Sequence, residues 1–185
     1  MRLEIKKYPR LTEIGAWAGP DTHRLGGYYT QEDIKELIAY GQLRNVEIIP
    51  EIEFPAHMLS AVAAYPWLSC TGLQHEVPVQ HFISRDLLCV GKESSYQFLS
   101  DVLDETVSLF PSHYINIGGD EAVYDRWKEC PKCQEVMKRE GLTKASDLQG
   151  YLTNVVADMM KKKDRTVVGW EEIIQRGKVN HPVVL

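Results

Sequence analysis

The sequence predicts an α/β protein built on a parallel sheet. β-rich runs alternate with long amphipathic helical stretches, the signature of βαβ units. The β-rich runs flow into chemically distinctive segments rather than simple turns. Apolar side chains make up 44% of the 185 residues, ample for a packed core.

In chain order, Thr30-Gln31-Glu32-Asp33 reads as a helix N-terminus, followed by Ile34, Leu37, Ile38 and Leu43 on roughly one face. Val46 to Ile52 reads as a strand. Ser94 or Ser95 is placed to cap a second helix carrying Phe98, Leu99, Val102, Leu103, Val107 and Phe110, which Pro111 stops. Tyr114 to Ile117 is the next strand. A third helix carries Leu148, Tyr151, Leu152, Val155, Val156, Met159 and Met160, and the run Lys161-Lys162-Lys163-Asp164 closes it at the negative end of its dipole. Thr166 to Trp170 is a third strand, and Pro182 to Leu185 begins a possible fourth. Such a sheet is either doubly wound and open or closed as a (β/α)8 barrel.

Charge narrows the function. With 26 acidic against 21 basic side chains and a formal net charge of -5, no nucleic-acid or anionic-membrane partner is expected. No apolar run is long enough to span a bilayer, and Met1 to Tyr8 carries no apolar signal-peptide core.

Both parallel architectures gather reactive groups past the carboxyl ends of their strands. Ile52 runs into Glu53-Phe54-Pro55-Ala56-His57, Ile117 into Gly118-Gly119-Asp120-Glu121, and Gly169 into Trp170-Glu171-Glu172. Adjacent strand residues point to opposite faces, so Asp120 and Glu121 can share a pocket only if the backbone leaves strand geometry, which the two glycines permit. Those glycines also let a bulky ring approach the main chain. Close together in a partly dry pocket, two carboxyls should split their pKa values, giving a general acid beside a fixed charge. The plainer reading makes Asp120 a helix cap. His57 heads a long connection reaching Gly91, and Trp170 taken alone reads as core before it reads as a ligand platform.

Cys130-Pro131-Lys132-Cys133 fits a redox pair, half a zinc site or a local structural element. No second C-x-x-C or H-x-x-x-H follows, so a structural role is expected, with no metal and no cofactor.

Tyr114-Ile-Asn-Ile-Gly-Gly-Asp-Glu-Ala122 resembles the H-x-G-G-D-E signature of glycoside hydrolase family 20, the β-N-acetylhexosaminidases. Arg2 to Ala16, Gly27 to Asp33, Pro50 to His57 and Val168 to Glu172 are similar to further blocks of that family, so the likeness covers nearly the whole chain. It implies a (β/α)8 barrel enzyme that removes terminal β-linked N-acetylglucosamine or N-acetylgalactosamine with retention, the substrate's acetamido oxygen acting as nucleophile. Glu121 would be the general acid/base. Asp120 would orient the acetamido group and stabilise the oxazolinium, and His57, Trp170, Gly119 and Asn116 would contact substrate. Three positions depart from the pattern: Asn116 replaces a His, Glu53 an Asp and Ala56 a Gly.

The resemblance also implies that the chain begins after the family's second strand. A partial barrel of three to four parallel strands with flanking helices is therefore expected, one truncated (β/α) barrel catalytic domain over residues 1–185. Its open edges would need covering, which implies a homo-oligomer. The family is often secreted, periplasmic or lysosomal. A non-catalytic relative, acting as a weak sugar binder or assembly module, is the competing expectation.

Overall fold

The structure, a computed structural model, describes residues 2–80 and 82–183. Its first half contains β1 (Arg2–Leu3), α1 (Arg10–Glu13), β2 (Trp17–Ala18), β3 (Leu25–Gly26), β4 (Tyr28–Tyr29), α2 (Gln31–Gln42), α3 (Leu59–Ala64) and α4 (Glu93–Leu109). The second half contains β5 (Tyr114–Asn116), α5 (Asp125–Glu129), α6 (Pro131–Glu140), α7 (Asp147–Lys161), β6 (Thr166–Val168) and α8 (Glu172–Gln175).

Parallel pairing dominates. β5 pairs with β6 in the register Tyr114↔Thr166, Ile115↔Val167 and Asn116↔Val168, and β1 pairs in parallel with β4. β2 and β3 pair antiparallel, and Ser69 and Leu88 form an isolated antiparallel bridge. On the other side of β5, the expected strand Val46–Ile52 is reduced to a parallel bridge between Glu51 and Asn116. The backbone there still follows β5: Asn116 N–H donates to Pro50 O at 2.9 Å, Ile52 N–H to Asn116 O at 2.9 Å and Phe54 N–H to Ile117 O at 3.2 Å. Pro50 has no N–H to extend the ladder, and Val46 and Ile49 are left exposed. Three parallel segments thus lie side by side and end together at Phe54, Ile117 and Val168.

The helices follow from their capping and periodicity. Thr30 and Asp33 form a capping box at the start of α2, as the sequence predicts. Of its apolar stripe only Ile34 is buried, while Leu37 and Leu43 face solvent. α4 buries Phe98, Leu99, Val102 and Leu103, and α7 buries Leu148, Leu152, Val156 and Met160, in one core with Ile115, Ile117 and Val167. α4 starts earlier than the expected Ser94 or Ser95 cap. Lys92 is extended at its N-cap, its Nζ donating to the carbonyls of Trp67 at 2.9 Å and Ser69 at 2.6 Å. Phe110 is extended before Pro111, which ends the helix.

Shorter helices are not signalled by periodicity, among them α3, α5 and α6, of 6, 5 and 10 residues. Pro182 and Val183 take no regular structure, and the rest of the expected C-terminal strand, Val184 and Leu185, lies outside the described residues.

Leu103 is fully buried whereas Leu43 is 83% exposed. In urea unfolding, Leu103→Ala is expected to cost about 2–5 kcal/mol and Leu43→Ala less than about 0.5 kcal/mol. Equal losses would contradict the packing described.

Candidate active site

The turn after β5 is made by two glycines in positive-φ conformations, Gly118 at 64° and Gly119 at 93°. A Cβ on Gly118 would lie 2.0 Å from a Glu53 carboxylate oxygen, and one on Gly119 would lie 2.3 Å from Ile173 Cγ2. In the direction of their Cβ positions these glycines are packed against protein side chains. Glu53 accepts the Gly119 N–H at 3.0 Å, and Gln149 Nε2 donates to Gly119 O.

Asn116 does not project freely toward a ligand. Its Oδ1 accepts the Gly118 N–H at 2.9 Å while its Nδ2 donates to Glu51, so it braces the turn at both ends of its amide. Trp170 follows β6, its N–H donating to Gly118 O at 2.9 Å and its side chain half exposed. All three strand-end segments thus converge on one turn.

The acidic pair emerges from this turn. Glu121 has φ 54° and His57 has φ 52°, a left-handed conformation uncommon for residues with a Cβ. Each such residue costs on the order of 1 kcal/mol, and sites of this kind concentrate where side chains must be aimed. Here they are aimed at each other: His57 Nε2 stands 3.4 Å from Asp120 Oδ2 and 3.3 Å from Glu121 Oε2. The neighbouring carboxyls meet at one imidazole instead of diverging. Asp120 is not a helix cap, because α5 begins at Asp125 with Tyr124 at its N-cap. Its Oδ1 is buried, and the Asp120 carboxylate also accepts from the Glu53 carboxyl when that group holds its proton.

Sequence reasoning missed Glu53 as a site residue. Burial pushes its carboxyl up to about 8; the Gly119 N–H opposes that rise, and the negative charges of Asp120 and Glu51 add to it. The signal was its place, directly past a strand end and four residues before His57. Glu53 and His57 also border a cavity of about 270 Å³, shared with Arg2, Tyr29 and Glu51. The His57–Asp120–Glu121 triad lies close enough to offer three ligand atoms to a cation. Its imidazole already bridges both carboxylates, which suits an acid–base site.

An α/β scaffold of parallel segments thus carries carboxylates and an imidazole at its strand ends, groups able to bind and release protons. The chain belongs to glycosyl hydrolase family 20, whose catalytic domain matches residues 1–184. It is 41% identical over 177 residues to a β-hexosaminidase of Porphyromonas gingivalis, covering 95% of this chain and 23% of that protein. A β-N-acetylhexosaminidase structure from Bacteroides fragilis superimposes with TM-score 0.86 at 38% identity, over 98% of this chain and 35% of that one. A Vibrio harveyi exo-β-N-acetylglucosaminidase in complex with N-acetylglucosamine does so with TM-score 0.82 at 36% identity, over 92% and 28%. The chain therefore spans about a quarter to a third of the length of these relatives. The family resemblance carried by the motifs is borne out.

A raised carboxyl binds its proton more tightly folded than unfolded. Between the ordinary glutamate value and about 8 the folded state holds more protons, so stability falls as pH rises through that window and levels off above it. Solvent access to the site limits the contribution to about 2 kcal/mol, or a melting shift of about 4–8 °C. Glu53→Gln is expected to flatten this decline in thermal scans from pH 4.5 to 8.5; an unchanged slope would contradict the assignment.

Proposed function

We propose that this chain forms the acid–base portion of a retaining β-N-acetylhexosaminidase, a middle slice of a (β/α)8 barrel that removes terminal β-linked N-acetylglucosamine or N-acetylgalactosamine. The observation that carries this reading is the meeting of Asp120 and Glu121 at His57 Nε2, past the end of β5. Its relatives' names support the substrate class: one is a β-hexosaminidase and another was solved with N-acetylglucosamine.

In this mechanism Glu121, the more exposed acid, protonates the departing glycosidic oxygen while the substrate's acetamido carbonyl oxygen attacks the anomeric carbon. The Asp120 carboxylate accepts the acetamido N–H, orienting the nucleophile. Its charge then stabilises the oxazolinium that forms. Glu121, now deprotonated, activates the water that opens this intermediate. His57 holds the two carboxylates in register, and the half-exposed Trp170 walls the acetamido group. Glu53, with its proton held to about 8, keeps a second charge away from Asp120 over the acidic to neutral range. Asn116 and Gly119 position the turn that presents the pair. No cofactor enters the scheme.

Val46 and Ile49, half exposed beside the Glu51 bridge, are residues that a closed barrel would bury, and a second copy of the chain is the partner proposed here.

Using a chromogenic β-N-acetylglucosaminide, Glu121→Gln is expected to lower kcat/KM by about 10²–10⁴-fold. Asp120→Asn is expected to lower kcat by about 10²–10³-fold with a small change in KM. Release equal to the unmodified protein in both variants would favour a non-catalytic sugar-binding or assembly role.

A further inference from the structure

The four cysteines, scattered over 64 positions of sequence, meet at one point. Their sulfur atoms all lie within 4.8 Å of one another. Cys70 Sγ stands 3.7 Å from Cys133 Sγ, and Cys89 Sγ stands 3.8 Å from both Cys130 Sγ and Cys133 Sγ. Cys89, Cys130 and Cys133 are buried and Cys70 is half-buried.

These separations exclude a disulfide and fit a metal-binding set. A disulfide needs sulfurs about 2.0 Å apart, and all four cysteines are free thiols. Zinc binds thiolates at about 2.3 Å, so the edge of its sulfur tetrahedron is about 3.8 Å. The three separations above match that edge. Beyond pairwise contact, all four sulfurs lie within 4.8 Å of one another, so they surround one common point.

The surroundings are built to hold the sulfurs there. Cys70 follows the 3₁₀ turn Pro66–Leu68, and Cys89 is tied to that turn by its N–H donating to Leu68 O at 2.8 Å. Ser69 and Leu88 form an antiparallel bridge between them. Cys130 and Cys133 sit at the start of α6, where first-turn N–H groups favour anions. A Cβ on Gly91 would lie 2.3 Å from Lys132 C and 2.5 Å from Cys133 N, so the two halves touch through bare backbone. Lys92 Nζ, bound to the Ser69 carbonyl next to Cys70, brings a positive charge toward the set.

We propose that Cys70, Cys89, Cys130 and Cys133 form a closed structural Zn²⁺ site. Binding exchanges four thiol protons, released to solvent, for four zinc–sulfur bonds. With four protein ligands no position remains for water or substrate, so the ion stabilises without reacting. Its place in the fold gives it a purpose. Cys70 and Cys89 lie on the connection that follows His57, and Cys130 and Cys133 on the segment that follows Glu121. The ion staples together the two stretches whose first residues meet in the candidate active site.

The sequence hides this site because its ligands are one C-x-x-C and two single cysteines far upstream, a spacing no short motif encodes. The expectation of a purely local role for Cys130 and Cys133 is replaced by a long-range one on this reading.

The test is metal analysis of the full-length protein purified from a zinc-replete, reducing preparation. About one zinc per chain is expected, with Cys133→Ser reducing it at least tenfold and lowering the melting temperature. Should that variant fail to fold, X-ray absorption at the zinc edge of the unmodified protein reads the ligands directly, with four sulfurs at about 2.3 Å expected. Absence of metal, iron in place of zinc, nitrogen or oxygen ligands, zinc retained by Cys133→Ser, or disulfides among these cysteines would each overturn the proposal.

Discussion

The arrangement depends on one close approach, the seating of the Glu53 carboxyl against the bare Cα of Gly118. No residue with a side chain could occupy position 118 while Glu53 stands where it does. That seating lets Glu53 accept the Gly119 N–H, while Asn116 takes the Gly118 N–H and Trp170 donates to the Gly118 carbonyl. Three parallel segments, each contributing through a different atom, are tied to two residues. The turn is fixed because every polar group along it is used, and the next two residues inherit that fixity.

What they inherit is direction. In a regular strand Asp120 and Glu121 would face opposite sides. The positive φ angles at Gly118, Gly119 and Glu121 bend the chain until both carboxylates reach the same imidazole. The left-handed backbone at His57 does the same from the other segment. Strain at Glu121 and His57 is thus the local cost of bringing unlike functional groups together, offset by packing such as the fully buried Ile117 and Ile173. Crowding carboxyls also has an electrostatic consequence, visible at Glu53, whose buried acid keeps its proton to about 8.

Much of this was legible in the sequence, for identifiable reasons. The capping box of Thr30 and Asp33, the apolar stripes of α4 and α7, and the Gly-Gly-Asp-Glu turn are local signals whose physics is settled within a few residues. The strand at Val46–Ile52 was overread because β-branched residues specify extension but not a partner, and Pro50 interrupts donation. α3 and α5 are too short for a helical period to register. Glu53 and the meeting of Cys70 with Cys133 depend on contacts 66 and 63 residues apart, which no window of sequence contains. The packing of Ile173 against Gly119 likewise joins distant segments that no local window contains.

The central claim is that Asp120 and Glu121 act on one sugar as a unit because a single turn presents both. A double-mutant cycle on the full-length protein, following cleavage of a β-linked N-acetylglucosamine disaccharide, tests it most directly. If the two acids serve the same transition state, kcat/KM of Asp120→Asn/Glu121→Gln should lie close to that of the slower single variant. Losses that simply multiply would mean that the two carboxylates act independently, and the account would be wrong.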